Sequence, residues 1–254
     1  MKNPIYILSY KATNCLIDVR VNDLQALLME AQGSMADDVT VNHLIPESGS
    51  QEITFRVVPL LLKTKPGDKF EFEATLSRYV IDYNRDLRVS KEADLINYKF
   101  NDFHSKPKQK FTAIVPYKLR AAKNYESLTM DDSLKQMVKD AYMRLKQQLD
   151  AGDYDNFLET LAKRDEEMDT CMYWGLTEEE KAERVIELAA KLQDGYTLNM
   201  PGPTDVLTQY GYGRLVRYVR PDFTSALVLS KGSEEYKIDV YLHKEANSDV
   251  LTLI

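Results

Sequence analysis

Apolar and polar positions alternate in two different rhythms along this chain. In residues 52–57, Glu-Ile-Thr-Phe-Arg-Val, every second side chain is apolar, so Ile53, Phe55 and Val57 share one face and Thr54 and Arg56 the other. A period of two marks a half-buried strand. Comparable β-branched or aromatic runs occupy residues 5–8, 15–21, 39–41, 52–62, 69–76 and 111–115, and Pro46, Ser48-Gly49 and Pro66-Gly67-Asp68 supply turn chemistry between them. Short strands bounded in this way predict an antiparallel β-sandwich. Between residues 79 and 110 the regularity fades, and no element is predicted there.

From Asp131 the period lengthens. Leu134, Met137, Val138, Ala141, Tyr142, Leu145 and Leu149 recur at helical spacing, with Asp131, Asp132 or Ser133 to cap the helix and Gly152 to end it. A second helix starts near Asp155, its apolar side formed by Phe157, Leu158, Leu161, Met168 and Met172. Thr177 and Glu180 have the spacing of a capping box for a third, with an apolar stripe of Ala182, Val185, Ile186, Ala189 and Leu192 and a stop at Gly195. After Pro201-Gly202-Pro203 the period of two returns in residues 215–219, 225–229, 235–243 and 250–254, with turn residues at Pro221-Asp222, Lys231-Gly232 and Asn247-Ser248. These runs predict a four-stranded antiparallel meander packed on the helices. The expected class is therefore α+β: a β-sandwich domain over residues 1–123, then a helical plus antiparallel-sheet domain over residues 124–254.

Within the first part, the stretches CLIDVRVND and VTVNHLIPESGSQEITFRVVPL, in residues 15–62, resemble the paired strands of jelly-roll domains of the galactose-binding type. There, too, a strand ends in a polar turn, and a leucine-turn-glycine step leads into an alternating strand. The resemblance implies a sandwich fold only. Asn22-Asp23 departs from the Asn-Gly of that pattern, and no position matches the aromatics or calcium carboxylates that hold sugars in such domains. In order of elements alone, the second part is similar to NTF2-like and cystatin-like layouts, with no shared motif.

Charge sharpens the division. The chain carries 33 basic and 40 acidic residues, net −7, of which 18 basic and 15 acidic precede residue 124 and 15 basic and 25 acidic follow. Residues 131–194 alone hold 17 acidic and 9 basic side chains. Such charge is the solvated side of amphipathic helices, or a docking face whose field speeds the approach of a basic protein. Its densest cluster, Asp165-Glu166-Glu167 with Asp169, makes Glu166, Glu167 and Asp169 the acidic candidates for partner binding. A second candidate patch is Tyr210, Tyr212, Arg214, Arg217 and Arg220, with Tyr218 beside them, because Tyr and Arg dominate binding hot spots. Core-and-rim packing is the plainer account of that patch.

Chemistry adds little. Tyr-Gly-Tyr-Gly-Arg at 210–214 lacks the Lys-Ser/Thr of phosphate loops and precedes a strand, so it reads as a tight strand entry. His43, His104 and His243 are the only histidines, and none sits in a nucleophile motif; His243, with Asp239 and Asp165 in prospect, is the best general-base candidate. No catalytic residue, cofactor or metal is expected: Asp37-Asp38 reads as a solvated turn, and no His lies in helical reach of Asp165 and Asp169. Lys106, Lys108 and Lys110, near His104, Phe100 and Phe103, form an ordinary basic loop in an acidic chain, so no nucleic acid is expected. Cys15 and Cys171 lack metal or redox spacing and read as buried thiols. No run is apolar enough to span a bilayer, no signal peptide is visible, and the chain reads as cytoplasmic, a mature exported protein giving the same pattern.

The expected function is thus a non-catalytic protein-binding protein with a basic partner, such as an immunity protein that neutralises a toxin, or an adaptor. The alternatives are an enzyme or small-ligand carrier with a pocket in the second domain, and a carbohydrate-binding module using the first.

Overall fold

The computed structural model describes residues 2–60, 69–82, 88–100, 108–120 and 125–254. The turn at 66–68, the residues Phe103, His104 and Lys106, and the boundary at Asn124 lie outside them. The fold is mixed α+β, and contacts divide the chain into two compact units: residues 1–123 with Cys171–Tyr173, and the remainder.

In the first unit, six strands form one antiparallel sheet: β1 Lys2–Val21, β2 Leu24–Thr40, β3 Gly49–Pro59, β4 Glu71–Asp82, β5 Arg88–Phe100 and β6 Lys108–Ala113. Their order is β5-β4-β1-β3-β6, with β2 paired to β1. The 20-residue β1 organises the sheet. Along one edge it keeps β2, while on the other it pairs with β4 up to Thr13 and with β3 from Cys15 onward. Asn14 takes a left-handed φ of 51° at the changeover. Its side chain accepts from Gly33 N–H at 2.9 Å and donates to Lys69 C=O at 3.1 Å, so the register break is bonded on both flanks. A strand that changes neighbours midway bends the sheet into a curled half-barrel. The predicted runs fall on these strands in one continuous sheet, with 5–8 and 15–21 both in β1 and the run 111–115 ending at Ala113, while residues 61–62 lie outside the described residues.

The inner face is lined by Tyr6, Leu8, Ile17, Ile53, Phe55, Phe72 and Leu76, all at 1% exposure or less. Phe55 stacks on Tyr98 with ring centroids 4.2 Å apart. Arg56 lies outside, as alternation requires. Beneath this face Asn42 is fully buried. Its carboxamide accepts from Tyr6 N–H at 2.8 Å and donates to Pro4 C=O at 2.9 Å and Cys171 C=O at 3.0 Å. Both cysteines are free and buried.

In the second unit, α1 spans Asp132–Asp150, α2 Asp155–Met172 and α3 Glu178–Gln193. Asp131 caps α1 by accepting from Leu134 N–H at 2.8 Å, and the Thr177–Glu180 box closes both ways at α3. No helix among the described residues is long and apolar enough to cross a membrane. The helices bury Leu134, Val138, Tyr142, Phe157, Leu161, Leu188 and Leu192 against Val216, Leu229 and Leu242 of the strands and Leu227 and Ile238 beside them.

The predicted meander is instead two small sheets. One is β11-β10-β7, from Glu234–Lys237, Val228–Lys231 and Thr197–Leu198; the other is β13-β12-β9-β8, from Leu251–Leu253, Leu242–Lys244, Leu215–Val219 and Val206–Tyr210. The run 235–243 divides between them: Glu234–Lys237 pairs in the first sheet and Leu242–Lys244 in the second, while Ile238 and Val240, on the face that alternation assigns to the core, are buried in the link. Beyond the corner, Tyr241 and Ile254 exchange both backbone bonds.

Candidate functional site

The side chains singled out in the second unit separate into buried and open groups. On β9, Leu215, Val216, Arg217 and Val219 are all buried. The Arg217 guanidinium lies 5.1 Å from the centre of the Tyr210 ring and 4.7 Å from that of Tyr241, and it is ion-paired with Asp239. Two ring faces and a carboxylate compensate this buried cation, because the ring quadrupole attracts positive charge. Tyr210 has no exposed surface and Arg217 only 3%. Neither offers a partner anything to touch: this half of the Tyr/Arg patch is core.

The rest of the patch lies around the β8–β9 hairpin. Gly211, Tyr212 and Gly213 all take positive φ, the backbone freedom that a four-residue turn between paired strands demands. The turn is tied down by Leu128, whose N–H donates to Gly213 C=O at 2.7 Å while its C=O accepts from Gln209 at 2.7 Å. Tyr212, at 51%, and Arg214 are exposed. Arg220 is half-buried and paired with Glu235 at 2.8 Å. Nearby, Lys237 bonds Asp222 at 2.8 Å and, with Thr224, holds that carboxyl well below the usual carboxylate range.

Of the acidic candidates, Asp169 faces inward. It accepts from Leu176 N–H at 3.0 Å and lies 3.6 Å from Lys181, so it fastens the α2–α3 connection. Asp165 is bonded to the adjacent Arg164 at 2.6 Å. Glu166 is exposed and Glu167 half-buried. A more open acidic surface, not anticipated from the residue clusters, follows α3. The buried line of that helix runs through Leu188 and Leu192, with Val185 and Ala189 half-buried beside it. Ala182 and Ile186, predicted to face the core, are exposed, Ile186 at 64%. Glu179 and Glu183, also exposed, border them. The apolar stripe is wider than the surface that covers it.

His243 is buried on β12, its ring 4.1 Å from that of Tyr125 and its Nε2 3.3 Å from the Thr252 hydroxyl. Asp239 is engaged with Arg217, and His243 has Glu245 at 3.7 Å as its carboxylate neighbour. Among the described residues, no three His, Cys, Asp or Glu side chains are placed to share a metal ion. Comparison with protein-family models, with curated proteins and with solved structures finds no match to this chain.

Proposed function

We propose that this protein is a non-catalytic binding protein whose acidic helical surface docks a basic protein, as an immunity protein docks a toxin. The observation that carries the reading is the outer line of α3, where Ile186 and Ala182 stand open between Glu179 and Glu183. An apolar centre rimmed by charge of one sign suits a protein partner: the centre supplies contact area and slow dissociation, the rim supplies steering. Glu166 on α2 is a further exposed carboxylate, while Tyr212 and Arg214 are the accessible members of the second candidate patch.

The test is capture of partners from the native host followed by rate measurements on whatever is recovered. Reversing Glu166, Glu179 and Glu183 to Lys should slow association, and the wild-type advantage should shrink as salt rises, since exposed charges are screened over about 8 Å at physiological ionic strength. Ile186→Asp should chiefly speed dissociation. Recovery of no protein, or rates indifferent to all four substitutions, would reject the reading.

A further inference from the structure

Between α1, the start of α2 and strand β13 lies a cavity of about 240 Å³, open to solvent. Its walls are largely apolar, with Leu145, Phe157, Leu227, Leu242 and Leu251, and Thr160 and Thr252 add polar groups. Helical spacing directs Ala141, Arg144, Leu145 and Gln148 of α1 toward it together. Leu145 and Leu253, whose positions in the pattern call for full burial, are only half-buried. The core has an unfilled apolar notch here, and Val250 stands 45% exposed at its lip.

Arg144 is the single charged side chain among the described lining residues. Among the described residues one of its five donors is used: Nη2 donates to Leu251 C=O at 3.3 Å. Asn156 and Phe157 place the first turn of α2 at the same rim, where Asp155 already faces the positive end of the helix dipole, so the cation left for a ligand is Arg144. In a unit that is otherwise strongly acidic, a largely apolar notch whose one charged lining side chain among the described residues is an arginine selects by chemistry. We propose that it binds a small apolar monocarboxylate, such as a medium-chain acyl or arylalkyl acid, with the chain against Leu227, Leu242 and Phe157 and the carboxylate on the Arg144 fork. The volume is adequate, since an apolar cavity of about 150 Å³ already admits benzene.

The full chain would be titrated with octanoate, octan-1-ol and octylammonium by calorimetry and ligand-detected NMR. Octanoate should bind at least tenfold tighter than octan-1-ol, and octylammonium more weakly than either. Arg144→Gln, at an exposed position, should erase the preference for octanoate and leave octan-1-ol affinity unchanged. Leu145→Trp should abolish binding of both, with circular dichroism melts confirming that each variant is folded. Absence of octanoate binding, equal affinity for octanoate and octan-1-ol, or an Arg144→Gln variant that keeps the preference would overturn the proposal. None of these outcomes bears on the α3 docking surface, which shares no residue with the cavity.

Discussion

His43 shows how one half-buried side chain with a buried ring nitrogen ties stability to pH. Desolvation lowers its pKa to about 4, and its Nδ1 is buried without a protein partner among the described residues. The unfolded imidazole titrates near its ordinary value of 6.5, so between pH 6.5 and 4 the unfolded chain binds the extra proton. Stability contributed by the neutral ring is therefore complete above pH 6.5 and lost as pH falls toward 4, by up to about 3 kcal/mol. Urea unfolding from pH 7 to 4.5 should reveal that loss, and His43→Gln should flatten it; an unchanged slope would place the linkage elsewhere. Arg217 makes the second residue-scale case. Because its partner Asp239 is 75% exposed and rehydrates when the pair is lost, Arg217→Ala should cost only about 2 kcal/mol, less than breaking a wholly buried pair. Partner dissociation should be unaltered wherever the variant remains folded. Faster dissociation from an equally folded variant would return Arg217 to the docking surface.

At the scale of elements, propensity and packing compete openly. Leu-Gln-Ala-Leu-Leu-Met-Glu-Ala at the start of β2 is rich in helix formers, yet the segment is a strand. Pairing of β2 from end to end with residues 7–21 of β1, entered through the Asn22-Asp23 turn with φ of 52° and 60°, overrides local preference. Strand β5 escapes detection for another reason: Lys91, Glu92 and Asp94 obscure its alternation, although Ile96 and Tyr98 are buried in the ordinary way. Helix α3 yields the sharpest test. Leu188→Ala should cost about 2–5 kcal/mol, whereas Ile186→Ala should change stability by less than roughly 0.5 kcal/mol. Comparable losses in thermal melts would mean that the predicted stripe, and not the observed line, faces the core.

For the whole molecule, the contrast between a first part of net +3 and a second of net −10, read with the two contact units, leads us to propose two independently folding domains. A fragment of residues 125–254 should keep its helical circular dichroism and melt cooperatively, since its hydrophobic cluster is drawn from its own helices and strands. A fragment with coil-like dichroism would count against that division.

What the sequence determined by itself is local. The three helices announce themselves because capping groups and a 3.6-residue period act within a turn or two of chain, and Asp131, Thr177 and Glu180 make the bonds their spacing implies. Alternation likewise marks residues 52–57, because it depends only on which way successive side chains point. Tertiary structure decided everything that depends on a distant neighbour. It joined the β1 strand to three partners, divided the 235–243 run between two sheets, and placed Arg217 between rings contributed by residues 210 and 241. It also turned α3 so that Ile186 stayed in water and left the notch beside Arg144 unfilled. Periodicity states that a face is apolar; only the packing of other elements determines how much of that face is covered, and an apolar surface left uncovered is where a partner or ligand can bind.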